Sequence, residues 1–124
     1  MASLPGNYSE PGGQILLARD GAKIAGIVAM RPLEEDGICE LKRLFVREAW
    51  RRRGLGRELT MRIIAHARGQ NYAAMCLETV PQLEAAIALY LDLGFEETGA
   101  YSEDSSIYLD AELRYFKLDL TKDA

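Results

Sequence analysis

The strongest constraint on this chain is a short basic segment with two glycines, residues 44–59, which reads LFVREAWRRRGLGREL. Its apolar start, tight middle and amphipathic end predict a strand, a loop and the first turn of a helix. The start of a helix has backbone N–H groups without partners and carries the positive end of the helix dipole. Phosphate satisfies both where no bulky side chain blocks the backbone. The segment therefore predicts an anion site.

The residue types in this loop suit a phosphate group. Gly54 and Gly56 have no Cβ, so a ligand can approach the backbone and the chain can adopt positive φ angles. Four arginines add donors for charge-assisted hydrogen bonds: Arg51, Arg52, Arg53 and Arg57. The loop lacks the Lys-Ser/Thr pair of a Walker loop and the third glycine of a dinucleotide-binding loop. Taken alone, the loop is weak evidence and favours an ordinary helix start that has arginines on its surface.

Charge and cysteine content narrow the class of protein. The 124 residues predict one domain, and the formal net charge of −4 argues against a nucleic-acid partner. No apolar run is long enough for a membrane span and no signal peptide is evident, so we expect no membrane partner. Cys39 and Cys76 lie in apolar runs without metal-ligand spacing. We therefore expect reduced thiols, no metal and a cytoplasmic location.

Hydrophobic periodicity predicts alternating strands and helices in a single domain, residues 1–124, with an irregular lead-in over residues 1–13 and a polar loop over residues 102–110. The predicted strands are residues 14–19, 23–30, 38–46, 72–80, 95–101 and 113–120, and the predicted helices are residues 55–68 and 82–93. The helix between strands 38–46 and 72–80 predicts a right-handed crossover that makes these two strands parallel. The basic loop then lies at the carboxyl end of a strand, where open α/β sheets bind ligands.

Side-chain direction follows from the same periodicities. Strict alternation places Glu40, Lys42, Leu44 and Val46, with Ile38, on one face of their strand. On the second helix, one apolar face is expected to hold Leu83, Ala86, Ile87, Tyr90 and Leu91. Tyr90 would then point inward. His66, the only histidine, is expected to be structural because no catalytic partner is evident.

Three segments resemble the Gcn5-related N-acetyltransferases (GNAT family). Residues 51–56, RRRGLG, are similar to that family's pyrophosphate-binding loop R-x-x-G-x-G. Residues 85–95, AAIALYLDLGF, are similar to its A-x-x-L-Y-x-x-x-G-F segment, about 30 residues further on. Residues 39–46 are similar to its fourth strand. The resemblance, over residues 14–120, implies an α/β (α+β) fold: a mixed, mostly antiparallel sheet, with helices packed on it and a V-shaped gap between two parallel strands.

The resemblance also implies a co-substrate and its contacts. Acetyl-CoA would place its pantetheine arm against the backbone of Leu44, Phe45 and Val46. Its diphosphate would bind the N–H groups of the loop: Arg51, Arg52, Arg53, Gly54, Leu55, Gly56 and Arg57. Tyr90 corresponds to a tyrosine that can protonate the leaving thiolate, which is chemically reasonable for a phenol. The other interpretation of Tyr90 is a core residue with its hydroxyl satisfied.

A carboxylate is needed to take a proton from the attacking amine. Glu40 is the candidate base, because it lies on the cofactor strand and faces the side from which an acceptor could approach; Glu78 is the other choice. Either could instead be an ion-pair partner of Lys42 or Arg43. The implied reaction is acetyl transfer to a primary amine of a small molecule or peptide by direct attack. The alternative is an acyl-CoA-binding or regulatory module without turnover.

Two departures from the family pattern affect these expectations. Leu83 stands where the family commonly has an asparagine, and residues 1–13 are too short and too rich in proline and glycine to form the family's first strand and two helices. Either the chain is a shortened member or another subunit completes the acceptor pocket. An exposed edge and an uncovered sheet face would favour self-association, so we expect a homodimer. Acidic groups at residues 34–36 and 103–104 favour a cationic acceptor.

Overall fold

The computed structural model describes residues 13–101 and 112–122. Within them, the strands are β1 (Gln14–Asp20), β2 (Lys23–Pro32), β3 (Ile38–Val46), β4 (Ala74–Thr79), β5 (Glu96–Thr98) and β6 (Arg114–Asp119). The α helices are α1 (Leu55–Gly69) and α2 (Glu84–Asp92), and a short 3-10 helix, Glu48–Trp50, lies between β3 and α1. Every predicted strand and helix is present in the predicted order. The lead-in before Gly13 and the polar loop 102–110 lie outside the described residues.

The strands form one mixed sheet in the order β1-β2-β3-β4-β6-β5. The neighbours β3 and β4 are parallel, and every other neighbouring pair is antiparallel. Helix α1 connects β3 to β4, which is the crossover that parallel neighbours require. The predicted fold class is confirmed.

The two parallel strands separate soon after they begin to pair. Their register contains only Ile38 with Ala74, Cys39 with Met75 and Glu40 with Cys76. Strand β3 nevertheless continues to Val46 and β4 to Thr79. We call the gap between residues 41–46 of β3 and 77–79 of β4 the fork. It is the V-shaped gap that the resemblance implied.

A bulge in β3 accompanies this separation. The register with β2 shifts between Ile27, which faces Phe45, and Ala29, which faces Lys42. Arg43 has a φ of 57°, an uncommon value for a residue with a Cβ. Because an extra residue moves the following side chains to the opposite face, the strict alternation predicted along β3 is wrong beyond Lys42.

The bulge changes which residues of β3 reach the core. Leu44 and Val46 pack against the same buried cluster as Cys39 and Leu41, instead of sharing the face of Glu40. That cluster lies between the sheet and the two helices. Its other buried members include Val28, Met30, Leu59, Ile63, Leu77, Ile87, Tyr90 and Phe116. The opposite sheet face has a smaller buried cluster of Ile38, Ala74 and Cys76.

Helix α2 is less amphipathic than predicted. Ile87 and Tyr90 are buried, but Leu83 and Leu91 are 53% and 50% exposed. The reason for Leu83 is that α2 begins only at Glu84, which leaves Leu83 as a flanking residue outside the first turn. The inward direction predicted for Tyr90 is confirmed. Neither α1 nor α2, nor any other helix within the described ranges, is long and apolar enough to cross a bilayer.

Close packing at Gly26 gives a test of the contact between α1 and the sheet. A Cβ at Gly26 would lie 3.0 Å from Leu59 Cδ1 and 3.0 Å from the Phe45 carbonyl oxygen. We expect Gly26→Ala to lower the free energy of unfolding by about 1–3 kcal/mol, because overpacking must displace backbone. Urea unfolding measures the change.

The matched control is Gly69→Ala in the last turn of α1. A Cβ there meets nothing within 4 Å and Gly69 has no positive φ. This variant should be neutral or more stable by up to about 1 kcal/mol, because alanine favours helix. Equal destabilisation by both variants would contradict the packing argument.

Candidate functional site

The loop after β3 is shaped by two residues with positive φ. Arg52 has a φ of 66° and Gly54 a φ of 78°. Gly54 is the N-cap of α1, and no side chain caps this helix start. Glycine adopts such a φ without strain, whereas the Cβ of Arg52 makes a positive φ energetically costly at that residue. The loop thus keeps its shape while leaving the helix start open.

The backbone hydrogen bonds of the loop leave a run of donors free. The N–H of Arg51 donates to the Glu48 carbonyl at 3.2 Å, and the N–H of Glu58 donates to the Gly54 carbonyl at 3.0 Å. Between them, the N–H groups of residues 52–57 meet no acceptor within residues 13–101 and 112–122. Free N–H groups at a helix start form an anion site.

The arginines around the loop differ in what they contact. Arg52 and Arg53 are exposed and have no ion-pair partner in the part of the chain that the structure describes. Arg57 pairs with Asp92 at the end of α2, with Nη2 2.7 Å from Oδ2. This ion pair connects the start of α1 to the end of α2.

Arg51 lies over the β3 edge of the fork. Its Nε donates to the Val46 carbonyl at 2.8 Å, and its guanidinium lies 5.5 Å from the centre of the Phe45 ring. Arg47, the residue after Val46, donates its N–H to the Ala25 carbonyl of β2 at 2.8 Å. The C=O of one residue and the N–H of the next point in opposite directions across a trans peptide, so the Val46 carbonyl points away from β2 and toward the fork.

Tyr90 lies on the helix side of the sheet. It is 5% exposed and packs edge to face on Phe95, with ring centres 5.7 Å apart. It belongs to the same core cluster as Leu41 and Leu77, the residues that follow the last β3–β4 pair. Burial raises the pKa of the Tyr90 hydroxyl to about 12. The phenol is therefore protonated at neutral pH.

Glu40 lies on the other face of the sheet, in a network of donors. Its side chain is 2% exposed. Arg31 Nε donates to Oε1 at 2.8 Å, the Tyr101 hydroxyl donates to Oε2 at 2.5 Å, and Lys42 Nζ lies 3.8 Å from Oε2. Burial and the adjacent Glu40 carboxylate both raise the pKa of Tyr101. A carboxylate can be buried this completely only because it is paired and hydrogen-bonded.

Glu78 lies on the β4 side of the fork. Its side chain is 12% exposed, and Oε1 is 3.6 Å from Lys42 Nζ. Lys42 therefore contacts one carboxylate on each of the diverging strands. The predicted alternative, an ion pair with Lys42, is present for both Glu40 and Glu78.

Sequence reasoning missed Arg31 and Tyr101. Arg31 lies directly opposite Glu40 in the β2–β3 register. The turn that sets this register is closed by a hydrogen bond from the Leu33 N–H to the Ile38 carbonyl at 2.9 Å. A register argument from that turn could have predicted the Arg31–Glu40 pair. No local signal indicates that Tyr101, 61 residues further along the chain, reaches the same carboxylate.

The remaining candidate residues add little to the site. His66 is half-buried in the last turn of α1. Cys39 and Cys76 are buried and unpaired, and burial raises the pKa of the Cys39 thiol to about 12. Within the described residues, no group of histidine, cysteine and acidic side chains could hold a metal ion.

The buried pairing of Glu40 predicts a large effect of removing Arg31. We expect Arg31→Met to lower the free energy of unfolding by about 3 kcal/mol, because it leaves a buried carboxylate without its guanidinium. Arg62→Met is the control, since it breaks the Arg62–Glu58 pair, whose side chains are 70% and 55% exposed. That change should cost about 0.5 kcal/mol or less. Similar losses in urea unfolding would refute a special role for the buried pair.

Comparisons with known proteins identify the family. The model of the acetyltransferase (GNAT) family matches residues 3–95. An uncharacterised N-acetyltransferase of Schizosaccharomyces pombe is 35% identical over 116 residues, which cover 93% of this chain and 69% of that protein. The chain spans only 38% and 40% of the length of two mouse relatives named N-acetyltransferase 8B and 8F1.

Solved structures match the fold. A putative acyl-CoA N-acyltransferase from Klebsiella pneumoniae has a TM-score of 0.76 at 28% identity, with 87% of this chain and 72% of that chain covered. A putative acetyltransferase from Salmonella typhimurium, solved with acetyl-CoA, has a TM-score of 0.72 at 24% identity, with coverages of 91% and 68%. With the family match, the forked sheet and the open helix start after β3, these comparisons show that the chain belongs to the acetyltransferase (GNAT) family.

Proposed function

We propose that this protein is an N-acetyltransferase that transfers the acetyl group of acetyl-CoA to a primary amine by direct attack. The observation that carries the proposal is the run of free N–H groups over residues 52–57, at the carboxyl end of the strand that borders the fork. Relatives named N-acetyltransferases and a structural neighbour solved with acetyl-CoA support it.

The loop residues fit the diphosphate of coenzyme A. A Cβ at Gly56 would meet only Val46 Cγ2, at 3.9 Å, and a Cβ at Gly54 would meet nothing within 4 Å. The protein thus leaves open the space beside its free N–H groups. Arg52 and Arg53 add two guanidinium groups that no described acidic side chain neutralises.

The fork fits the pantetheine arm. We place the arm along Leu44, Phe45 and Val46, where it would pair with the backbone as an added strand does. The Val46 carbonyl accepts a hydrogen bond from Arg51, which therefore competes with a ligand amide for that carbonyl. We expect the bound arm to displace Arg51. Its guanidinium would then be available to the diphosphate.

The chemistry needs one proton donor and one acceptor. Acetyl-CoA supplies an acyl group activated as a thioester, and the protein positions an amine against it. Tyr90 is the proposed donor to the departing thiolate, because it is protonated and its hydroxyl has no hydrogen-bond partner among the described residues. Glu40, proposed from the sequence, and Glu78 are the two candidates for the group that takes the proton of the amine.

The acceptor is proposed to be a cationic amine of a small molecule or peptide. Glu34, Glu35 and Asp36 are exposed on the β2–β3 turn, whereas residues 103 and 104 lie outside the described ranges. The buried, unpaired cysteines favour a cytoplasmic location.

We also propose a homodimer. Strand β1 is the last strand of the sheet at one end and pairs only with β2 among the described strands. Half of the surface of the Leu91 side chain is exposed on α2. Unpaired strand edges and exposed apolar side chains favour association. Size exclusion with light scattering should give twice the monomer mass at micromolar concentration, and a monomer would contradict the proposal.

The second candidate function is a binding module that holds acyl-CoA without turnover. Two observations favour this function. Arg51 donates a hydrogen bond to the Val46 carbonyl, and Arg31 and Tyr101 donate hydrogen bonds to the two Glu40 oxygens. Thiol release from acetyl-CoA with a panel of amines separates the two functions. Binding without thiol release across the panel would support the module.

Gly56→Ala tests the diphosphate site. The new methyl group would lie 3.9 Å from Val46 Cγ2, which is an ordinary van der Waals contact, so the free protein should fold normally. We expect the dissociation constant of coenzyme A to rise about tenfold or more, because the methyl group fills the space beside the free N–H groups; this corresponds to about 1.4 kcal/mol. Isothermal titration measures it.

Gly69→Ala, at the other end of the same helix, is the control and should bind coenzyme A as the wild type does. If Gly56→Ala and Gly69→Ala bind equally well, the diphosphate does not lie against this loop.

Tyr90→Phe tests the proton donor. We expect the rate constant of thiol release to fall about 100-fold, with binding of coenzyme A unchanged, because the ring and its packing on Phe95 are retained. Tyr72→Phe, at a half-buried tyrosine before β4, is the control and should keep its activity. An active Tyr90→Phe enzyme would leave Tyr90 as a core residue only.

A further inference from the structure

The sheet face opposite the helices has two carboxylates at the base of the fork. Glu40 pairs in register with Cys76, and Glu78 is two residues beyond Cys76 on the same strand. Because side chains of a strand alternate, Glu40 and Glu78 lie on the same face. Both contact Lys42, at 3.8 and 3.6 Å.

The aromatic ring of Tyr101 crosses this face just below the fork. Its hydroxyl donates to Glu40 on β3, while its ring packs edge to face on Tyr115 of β6, with centres 5.7 Å apart. Tyr115 lies opposite Glu78 in the β4–β6 register. Tyr101 also packs against the cluster that contains Cys76. The side chain therefore extends over β4, from β6 to β3, and closes the face beneath Glu78.

The two carboxylates differ in their freedom to accept a proton. Both oxygens of Glu40 already accept hydrogen bonds, from Arg31 and Tyr101, and the residue is 2% exposed. A proton on Glu40 would weaken the charge-assisted hydrogen bonds that its carboxylate accepts, and at 2% exposure an amine has little access to it. Glu78 is 12% exposed, and its partner within the described residues is the flexible ammonium of Lys42. The ammonium of Lys42 contacts Glu40 as well, so the two carboxylates differ in their exposure and in the number of other donors that they bind.

We propose that Glu78 binds the acceptor amine and takes its proton, and that Glu40 is a positioning residue that holds Tyr101 as the floor of the acceptor pocket. This inference rests on the proposed acetyl transfer. It assigns the acceptor as a primary ammonium that displaces Lys42 from Glu78. The proposal names Glu78 as the base in place of Glu40, which the sequence favoured.

The ammonium gives one proton to Glu78, and the neutral amine attacks the thioester carbonyl, so that a C–N bond forms and the C–S bond breaks. The thiolate takes the proton of Tyr90. The second proton of the nitrogen passes to water, water restores Tyr90, and Glu78 releases its proton to solvent.

The test compares Glu78→Gln, Glu40→Gln and Tyr101→Phe in thiol release from acetyl-CoA, with spermidine as the first acceptor of an amine panel. Glu78→Gln should lower kcat about 100-fold or more and leave the KM for acetyl-CoA unchanged, because a general base acts only in the chemical step. Tyr101→Phe should keep kcat and raise the KM for the amine about tenfold, because only the position of the floor changes.

Glu40→Gln, like Tyr101→Phe, should keep kcat and raise the KM for the amine. In the double variant Glu40→Gln/Tyr101→Phe, this KM should be no higher than in Glu40→Gln alone, since both changes remove the same contact. Tyr101→Phe keeps its ring on Tyr115, so it tests the floor even if Glu40→Gln does not fold.

Three results would overturn the inference. In the first, Glu40→Gln loses kcat about 100-fold while Glu78→Gln stays active, which would make Glu40 the base. In the second, the effects of Glu40→Gln and Tyr101→Phe add, which would mean that Glu40 does not act through Tyr101. In the third, the wild type binds coenzyme A but releases no thiol with any amine. That result would refute the proposed transfer itself. It differs from a failure of the Glu78 assignment because the wild-type protein already shows it.

Discussion

The separation of β3 from β4 after three residue pairs is the constraint on which the rest of the structure depends. A strand edge without a neighbouring strand has backbone groups that need partners. In β3, the Val46 carbonyl finds one in Arg51, a side chain of the following loop. The fork, the loop and the open helix start are consecutive along the chain, and the bulge next to Arg43 lies at the beginning of this series.

The two faces of the sheet satisfy different physical requirements. The helix face is a packed apolar core, and the bulge brings Leu44 and Val46 into it. The opposite face buries a charged residue, Glu40, which is tolerable only with Arg31 and Tyr101 as donors. In the proposed acyl transfer, the apolar side would protect the thioester and the charged side would receive the amine. The fork is where these two faces meet.

The resemblance to the family holds best where backbone geometry matters most. Gly54 has a positive φ that glycine favours, and the loop around it leaves its N–H groups free. It holds less well at Leu83, which stands at the family's asparagine position and is half exposed as the residue before α2. A lost side-chain contact of this kind leaves the backbone site intact, because the free N–H groups belong to another segment.

The sequence by itself determined the order of strands and helices, the parallel pair and the anion loop, because periodicity, glycines and the charge of Arg51 to Arg57 are local signals. It could not predict the flip of Leu44 and Val46, since a bulge depends on how β2 and β3 twist together. It also could not predict that Tyr101 is a partner of Glu40. Tyr101 and Glu40 are 61 residues apart, and only the strand order of the sheet, with β4 between β3 and β6, brings them into contact.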